Sequence, residues 1–302
     1  MTGELEGQVA IVTGGGRGVG RAIAQALAAA GASVMVASRT AEQLNETVAL
    51  IDADGGRAAA LPADTEQRVA VEAMLAETER AFGPLTLLVN NAGATSTTAG
   101  PFETLDLDDV RKTIDNNLVG AMLCTRLALP GMLERGHGRI INVASGAGIV
   151  CQPFVNVYSV AKAGLIRFSE NLAMEVKDRG VAVFAITPGM VRTKATEVIW
   201  QVRKMDPLPG ILANVYGPPH ENAVDDDAWQ PPERAGELCR FLATGAADRL
   251  SGRFFSTYYD EAEIVAHADE VERDMLYTLR LPTLHGVEGP TTQEDFARAR
   301  KA

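Results

Sequence analysis

The sequence predicts an α/β fold: a doubly wound parallel sheet in three layers, with helices on both faces. Three observations predict it. Short apolar runs alternate with helical stretches from residue 9 to residue 186, the pattern of parallel strands joined by right-handed crossovers. The runs are apolar at consecutive positions, as strands buried on both faces are. A glycine-rich turn separates the first run from the first helix.

The elements follow in order. Residues 9–12 form the first buried strand. Residues 21–30 are alanine-rich with helical spacing and stop at Gly31, which suits a left-handed cap. A strand over 33–37 precedes a helix over 42–54, which Gly55 and Gly56 stop, and a short strand over 58–61. A helix over 69–82 leads to a strand over 85–89 that runs into Asn90, Asn91, Ala92 and Gly93. A long helix over 107–135 is expected to bend at Pro130. A strand over 139–143, a helix over 158–179 ending at Gly180, and a strand over 181–186 complete the alternation.

Residues 195–232 differ in character. Prolines stand at 207, 209, 218, 219, 231 and 232, with an acidic cluster at 225–227. The stretch is too long for an ordinary connection and too small to hold its own core, so it reads as a substrate lid. A helix over 232–243 and a strand over 253–257 follow. Residues 260–302 are a charged, partly helical C-terminal extension. One domain, 1–302, accounts for the chain.

Composition narrows the function. A net charge of −11 argues against a nucleic-acid groove or an anionic membrane surface as partner. Cys124, Cys151 and Cys239 are odd in number and widely spaced, which fits free thiols in a reducing compartment. Neither C-x-x-C nor a Cys/His cluster points to a metal. Residues 1–8 are polar without an apolar leader core, and no apolar run reaches membrane-span length. The expectation is a cytoplasmic protein.

Two motifs carry chemistry. Tyr158 and Lys162 stand at i and i+4, on one helix face. A free tyrosine titrates near ~10, and a nearby cation favours the phenolate. Lys162 is therefore expected to lower the phenol and make Tyr158 a general acid/base near neutral pH. The second motif, Thr13-Gly-Gly-Gly-Arg-Gly-Val-Gly20, lies between the first strand and first helix. Glycines there let the backbone approach a pyrophosphate, whose charge meets the helix N-terminus. This placement favours a dinucleotide and a Rossmann-type arrangement. A carboxylate about 20 residues past the glycines usually takes the ribose 2′-hydroxyl of NAD. Here Ser38 and Arg39 occupy those positions, and Arg17 adds a second cation, so NADP(H) is expected over NAD(H).

With Thr-Gly-x-x-x-Gly-x-Gly, residues 90–93, Ser145 ahead of Tyr158, Lys162, and Pro188-Gly189 in unbroken order, the chain resembles the single-domain branch of the short-chain dehydrogenase/reductase family over roughly residues 6–195. The resemblance implies Tyr158 as proton donor or acceptor, and Lys162 as ligand of the nicotinamide ribose and tuner of Tyr158. It makes Ser145 a hydrogen-bond donor to the substrate carbonyl, and Asn117 the holder of a relay water, with Asn116 the alternative. Gly14, Gly18, Val19 and Gly20 then form the phosphate loop. Asp64 and Thr65 match the adenine contact, and Asn91, Ala92 and Gly93 the adenosine ribose side. Pro188, Gly189, Val191 and Thr193 match the loop over the nicotinamide. A homodimer or homotetramer is implied too, although Arg253-Phe-Phe-Ser-Thr-Tyr-Tyr-Asp260 replaces the family's glycine-rich last strand.

The expected activity is NADP(H)-dependent interconversion of a carbonyl and an alcohol by hydride transfer. An NAD-dependent enzyme of the same family and a non-catalytic NADP-binding sensor are the rivals. Phe154, Val155, Met190, Trp200 and Trp229 are candidates for an apolar pocket wall around a small-molecule substrate.

Overall fold

The computed structural model describes residues 3–93, 98–193 and 229–279. Seven strands, β1 (Val9–Thr13), β2 (Ser33–Ser38), β3 (Arg57–Pro62), β4 (Leu87–Asn90), β5 (Gly138–Val143), β6 (Val181–Thr187) and β7 (Phe254–Ser256), form one parallel sheet in the order β3-β2-β1-β4-β5-β6-β7. β1, β4, β5 and β6 are buried along their whole length, which is why they read as continuous apolar runs.

Alternate residues of each strand serve opposite faces. Ala10 and Val12 of β1 pack with α1 (Gly18–Ala29), α2 (Ala41–Ala53) and the later helix running Pro232–Ala243, while Ile11 faces α3 (Arg68–Phe82) and the helices beside it. Phe184 of β6 meets Phe255 of β7 edge to face, with centroids 5.9 Å apart. Each is fully buried and contributes roughly 2–3 kcal/mol by area. Three layers, helix–sheet–helix, result.

One helical stretch departs from expectation. Residues 107–135 are not a single regular helix: α4 (Leu107–Ile114) passes through a wide π-helical turn, Asp115–Val119, into α5 (Gly120–Arg135). The irregularity lies at Asn117, and α5 runs through Pro130. Such turns re-aim one side chain without ending the helix. α6 (Asn156–Glu175) also stops four residues short of 179.

After the described residues resume at 229, α7 (Pro232–Ala243) packs on α1, and α8 (Glu261–Ala266) and α9 (Ala268–Arg273) follow β7. Nearly all of the expected lid, 194–228, lies outside the described residues, as does 280–302 of the extension. No described helix is long and apolar enough to cross a membrane. The three cysteines are free; burial pushes the Cys124 thiol up to about 12 and raises Cys239, leaving both inert at neutral pH.

The strand order reverses between β1 and β4, and their register pairs Val12 with Val89. In such sheets a crevice opens beyond the carboxyl ends of the strands at that switch. The fold therefore delivers the ends of β1, β4, β5 and β6 to one place.

Candidate active site

The end of β1 is bonded to the end of β4. Thr13 Oγ1 donates to Val89 O and accepts from Asn91 N and Ala92 N, the last two at 3.0 Å. Asn91 Nδ2 in turn donates to Thr13 O at 2.9 Å. Above them the loop turns on Gly14 (φ +65°) and Gly18 (φ +54°), left-handed positions that favour glycine. A Cβ on Gly20 would stand 2.2 Å from Gly14 O, so the first turn of α1 lies directly on the loop.

Two residues that sequence reasoning missed strap this loop. Arg21 donates from Nε and Nη2 to Gly16 O and also pairs with Glu46 at 2.8 Å. Thr47 of α2 donates to Gly15 O at 3.0 Å. No local motif marks either residue, because the strap joins α1 to α2 only in the fold. Thr193, from the other lip, places its methyl 3.5 Å from where a Gly18 Cβ would be.

At the far end, β5 delivers Ser145, whose Oγ caps the short turn Gly146–Gly148 by accepting from Ala147 N. The Ser145 hydroxyl lies near enough to Tyr158 to favour its phenolate. α6 puts Tyr158 and Lys162 on one face, as the spacing requires. Lys162 is buried, 3% exposed, and its Nζ donates to Val143 O at 2.8 Å and lies 5.5 Å from the centre of the Tyr158 ring.

The electrostatics correct one expectation. The Tyr158 phenol is not lowered: burial raises it, opposed by the nearby Ser145 hydroxyl. Burial also lowers Lys162 to about 8, the same desolvation acting on a group of opposite charge. The i,i+4 pair thus shares a face, and removal from water is the main influence on both groups.

Asn117 is buried in the π-turn and donates from Nδ2 to Thr113 O at 2.9 Å. A Cβ on Gly93 would fall 2.6 Å from Asn117 Oδ1 and 3.4 Å from Lys162 Nζ, so glycine alone lets the three approach. Asn116 is less buried.

Every predicted cofactor and catalytic position, from Gly14 through Thr193, lines the same cleft of about 1010 Å³. Arg17 and Arg39 are exposed on it, and neither forms an ion pair within 4 Å among the described residues. Ser38 accepts from Thr40 N across the end of β2, and Asp64 accepts from Glu66 N. Of the expected pocket wall, Met190 lines the cleft; Val155 is buried in the fold, and Trp229 stacks under the Arg192 guanidinium. Trp200 lies outside the described residues.

The cleft has further walls in Tyr258, Tyr259 and Tyr277. The signal for the first two was available: residues that follow a parallel strand sit at the carboxyl edge of the sheet, where the crevice is. No group of three or more potential metal ligands occurs among the described residues.

Comparison with known proteins agrees with this geometry. Residues 8–204 match the family model described as short chain dehydrogenase. The chain is 39% identical over 254 residues to a 3-oxoacyl-(acyl-carrier-protein) reductase of Synechocystis sp., covering 83% of this chain and 96% of that protein. It is 34% identical over 252 residues to a 2,5-dichloro-2,5-cyclohexadiene-1,4-diol dehydrogenase of Sphingobium indicum, covering 82% and 94%. Among solved structures, an actinorhodin polyketide ketoreductase variant with NADPH superposes with a TM-score of 0.75 at 28% identity, covering 85% of this chain and 97% of that one.

Proposed function

The chain belongs to the short-chain dehydrogenase family, and from that premise we propose that it is an NADP(H)-dependent oxidoreductase interconverting a ketone or aldehyde with its alcohol, Tyr158 moving the proton. Family membership makes it an oxidoreductase acting on CH–OH groups. The observation that carries the finer reading is the convergence of Ser145, Tyr158 and Lys162, from the end of β5 and one face of α6, on a cleft whose other end is the glycine loop.

The residues present fit a dinucleotide. The loop holds left-handed glycines where a side chain would obstruct approach, and its amides precede the N-terminus of α1. Gly14, Gly18, Val19 and Gly20 would face the pyrophosphate. Asn91, Ala92, Asp64 and Thr65 would face the adenosine half, and Pro188, Gly189, Val191 and Thr193 the nicotinamide. Gly93, expected on the adenosine side, lies instead against Asn117 and Lys162 at the catalytic end. Support for NADP comes from the end of β2, where Ser38 is followed by Arg39 and not by a carboxylate, while Arg17 and Arg39 both reach the cleft. A guanidinium matches the geometry of a 2′-phosphate.

A nicotinamide cofactor bound there supplies or accepts the hydride. The protein's part is the proton and the charge. In the reducing direction Tyr158 Oη gives its proton to the carbonyl oxygen while Ser145 Oγ donates a hydrogen bond to that same oxygen. The raised phenol is protonated at neutral pH, the state a donor needs. The Lys162 ammonium, anchored on Val143 O, then stabilises the phenolate left behind. Asn117, aimed by the π-turn, is placed to hold a water that returns the proton. The reductase relatives support carbonyl reduction as the working direction.

Screening NADPH oxidation against a panel of ketones and aldehydes tests the reading. Turnover of at least one member is expected; tight NADPH binding with no turnover of any would show a cofactor-binding sensor instead.

A further inference from the structure

The C-terminal extension returns to the cleft, and the way it is fastened gives it a role. α8 and α9 bury Ile264, Ala268 and Val271 against the α1/α7 side of the core. Met275 (φ +51°) and Tyr277 (φ +57°) then take left-handed turns that carry the chain around the outer strand, where Phe254 N of β7 donates to Tyr277 O at 2.9 Å. Residue 279 ends the described segment on α6. Leu279 N donates to Glu170 Oε1 and Leu279 O accepts from Arg167 Nη2, each at 2.6 Å, and Arg167 and Glu170 are themselves paired. Leu279 packs into the apolar cluster of Ala144, Leu165, Ile166 and Phe254.

Both backbone polar groups of Leu279 are thus held by the helix that carries Tyr158 and Lys162. Tyr277, Thr278 and Leu279 all line the cleft, beside Tyr258 and Tyr259. The Tyr259 and Tyr277 rings meet edge to face at 6.0 Å. Tyr258 is fixed as well: its hydroxyl accepts from Met190 N at 3.1 Å. The wall's own side chains carry neither a carboxylate nor an ammonium. Burial raises the Tyr277 phenol, as do Tyr259, Glu263 and Glu270 nearby, and those two carboxylates disfavour an anion. The rings offer stacked or edge-to-face contacts that a planar ring partner can meet.

We propose that residues 275–279, with Tyr258 and Tyr259, form the specificity wall at the substrate end of the cleft, shaped for a flat, uncharged ring ketone or its alcohol. The inference rests on the oxidoreductase reading and adds the substrate class to it. The wall acts on the ring body while Ser145 and Tyr158 act on the carbonyl. Because the segment is bolted to α6, its distance from Tyr158 is fixed.

The test compares kcat/KM for α-tetralone and for methyl hexyl ketone, with NADPH, in the wild type, Tyr259→Leu and Tyr277→Asn. Asparagine tolerates the left-handed backbone at 277, and Tyr259 is 55% exposed, so its replacement leaves the fold standing. The wild type should prefer the bicyclic ketone. Each variant should lower the cyclic-to-linear ratio roughly tenfold, through KM, since a ring–ring contact is worth about that factor. NADPH binding reports an intact cleft. Should Tyr277→Asn fail to fold, Tyr259→Leu decides alone. An unchanged ratio in soluble, NADPH-binding variants, or a wild type preferring the linear ketone, overturns the wall and leaves the oxidoreductase standing. A wild type that binds NADPH and turns over no carbonyl overturns both.

Discussion

Lys162 Nζ donates to the carbonyl of Val143, 2.8 Å away and nineteen residues earlier, at the end of the strand that delivers Ser145. The bond ties α6 to β5 at the point where Ser145 and Tyr158 must meet. It also keeps an ammonium out of water, and that has a thermodynamic consequence.

Burial lowers Lys162 from its ordinary 10.5 to about 8, so the unfolded chain binds this proton more tightly than the folded one. Stability contributed here is fully present above pH 10.5 and is lost as pH falls towards 8. The swing is up to about 3 kcal/mol. Lys162→Met removes it. Its stability relative to wild type, from urea denaturation, should fall as pH rises through that window and stay flat below it; the lost Val143 bond adds a constant offset. A pH-independent difference would mean that the lysine is not desolvated in solution.

Gly93 lies over Asn117 and Lys162, with room for no side chain. Gly93→Ala should force Asn117 Oδ1 away from a Cβ 2.6 Å distant, costing about 1–3 kcal/mol of stability. Turnover should fall more than NADPH affinity, because the displaced groups are at the catalytic end. Wild-type stability and turnover in the alanine variant would show that the three are not packed together.

Arg39 stands at the end of β2 where a carboxylate would select NAD. Arg39→Ala should raise the Kd for NADPH about tenfold or more while NADH changes little, as loss of one charge-assisted contact to a phosphate predicts. Isothermal titration with both cofactors reads the ratio. An unmoved ratio would remove Arg39 from cofactor selection.

Much of this was legible in the sequence, for physical reasons. Strands such as Val9–Thr13 and Val181–Thr187 are buried on both faces, so they read as unbroken apolar runs between glycine stops. Apart from Asn117 in the π-turn and Lys162 one turn further along α6, the predicted site residues stand at strand ends, in the loops after them or in first helical turns, positions that the alternation itself locates. What was hidden depends on packing between distant elements. Arg21 and Thr47 brace the glycine loop only because α1 and α2 lie side by side. The π-turn at Asp115–Val119 has no periodic signature, and the sequence reads through it as helix. The direction of the Tyr158 shift turns on how much water the fold excludes, which an i,i+4 spacing does not encode. Tyr277 reaches the cleft through two left-handed residues and a hydrogen bond to β7.

The central claim is that Tyr158 moves the proton, and kcat of Tyr158→Phe tests it most directly, alongside the Kd for NADPH measured by fluorescence titration. The variant keeps the ring and loses only the hydroxyl. Turnover should drop roughly 10²–10⁴-fold, the range expected for loss of a general acid, with NADPH affinity retained. Wild-type turnover in a variant that binds NADPH normally would contradict the account.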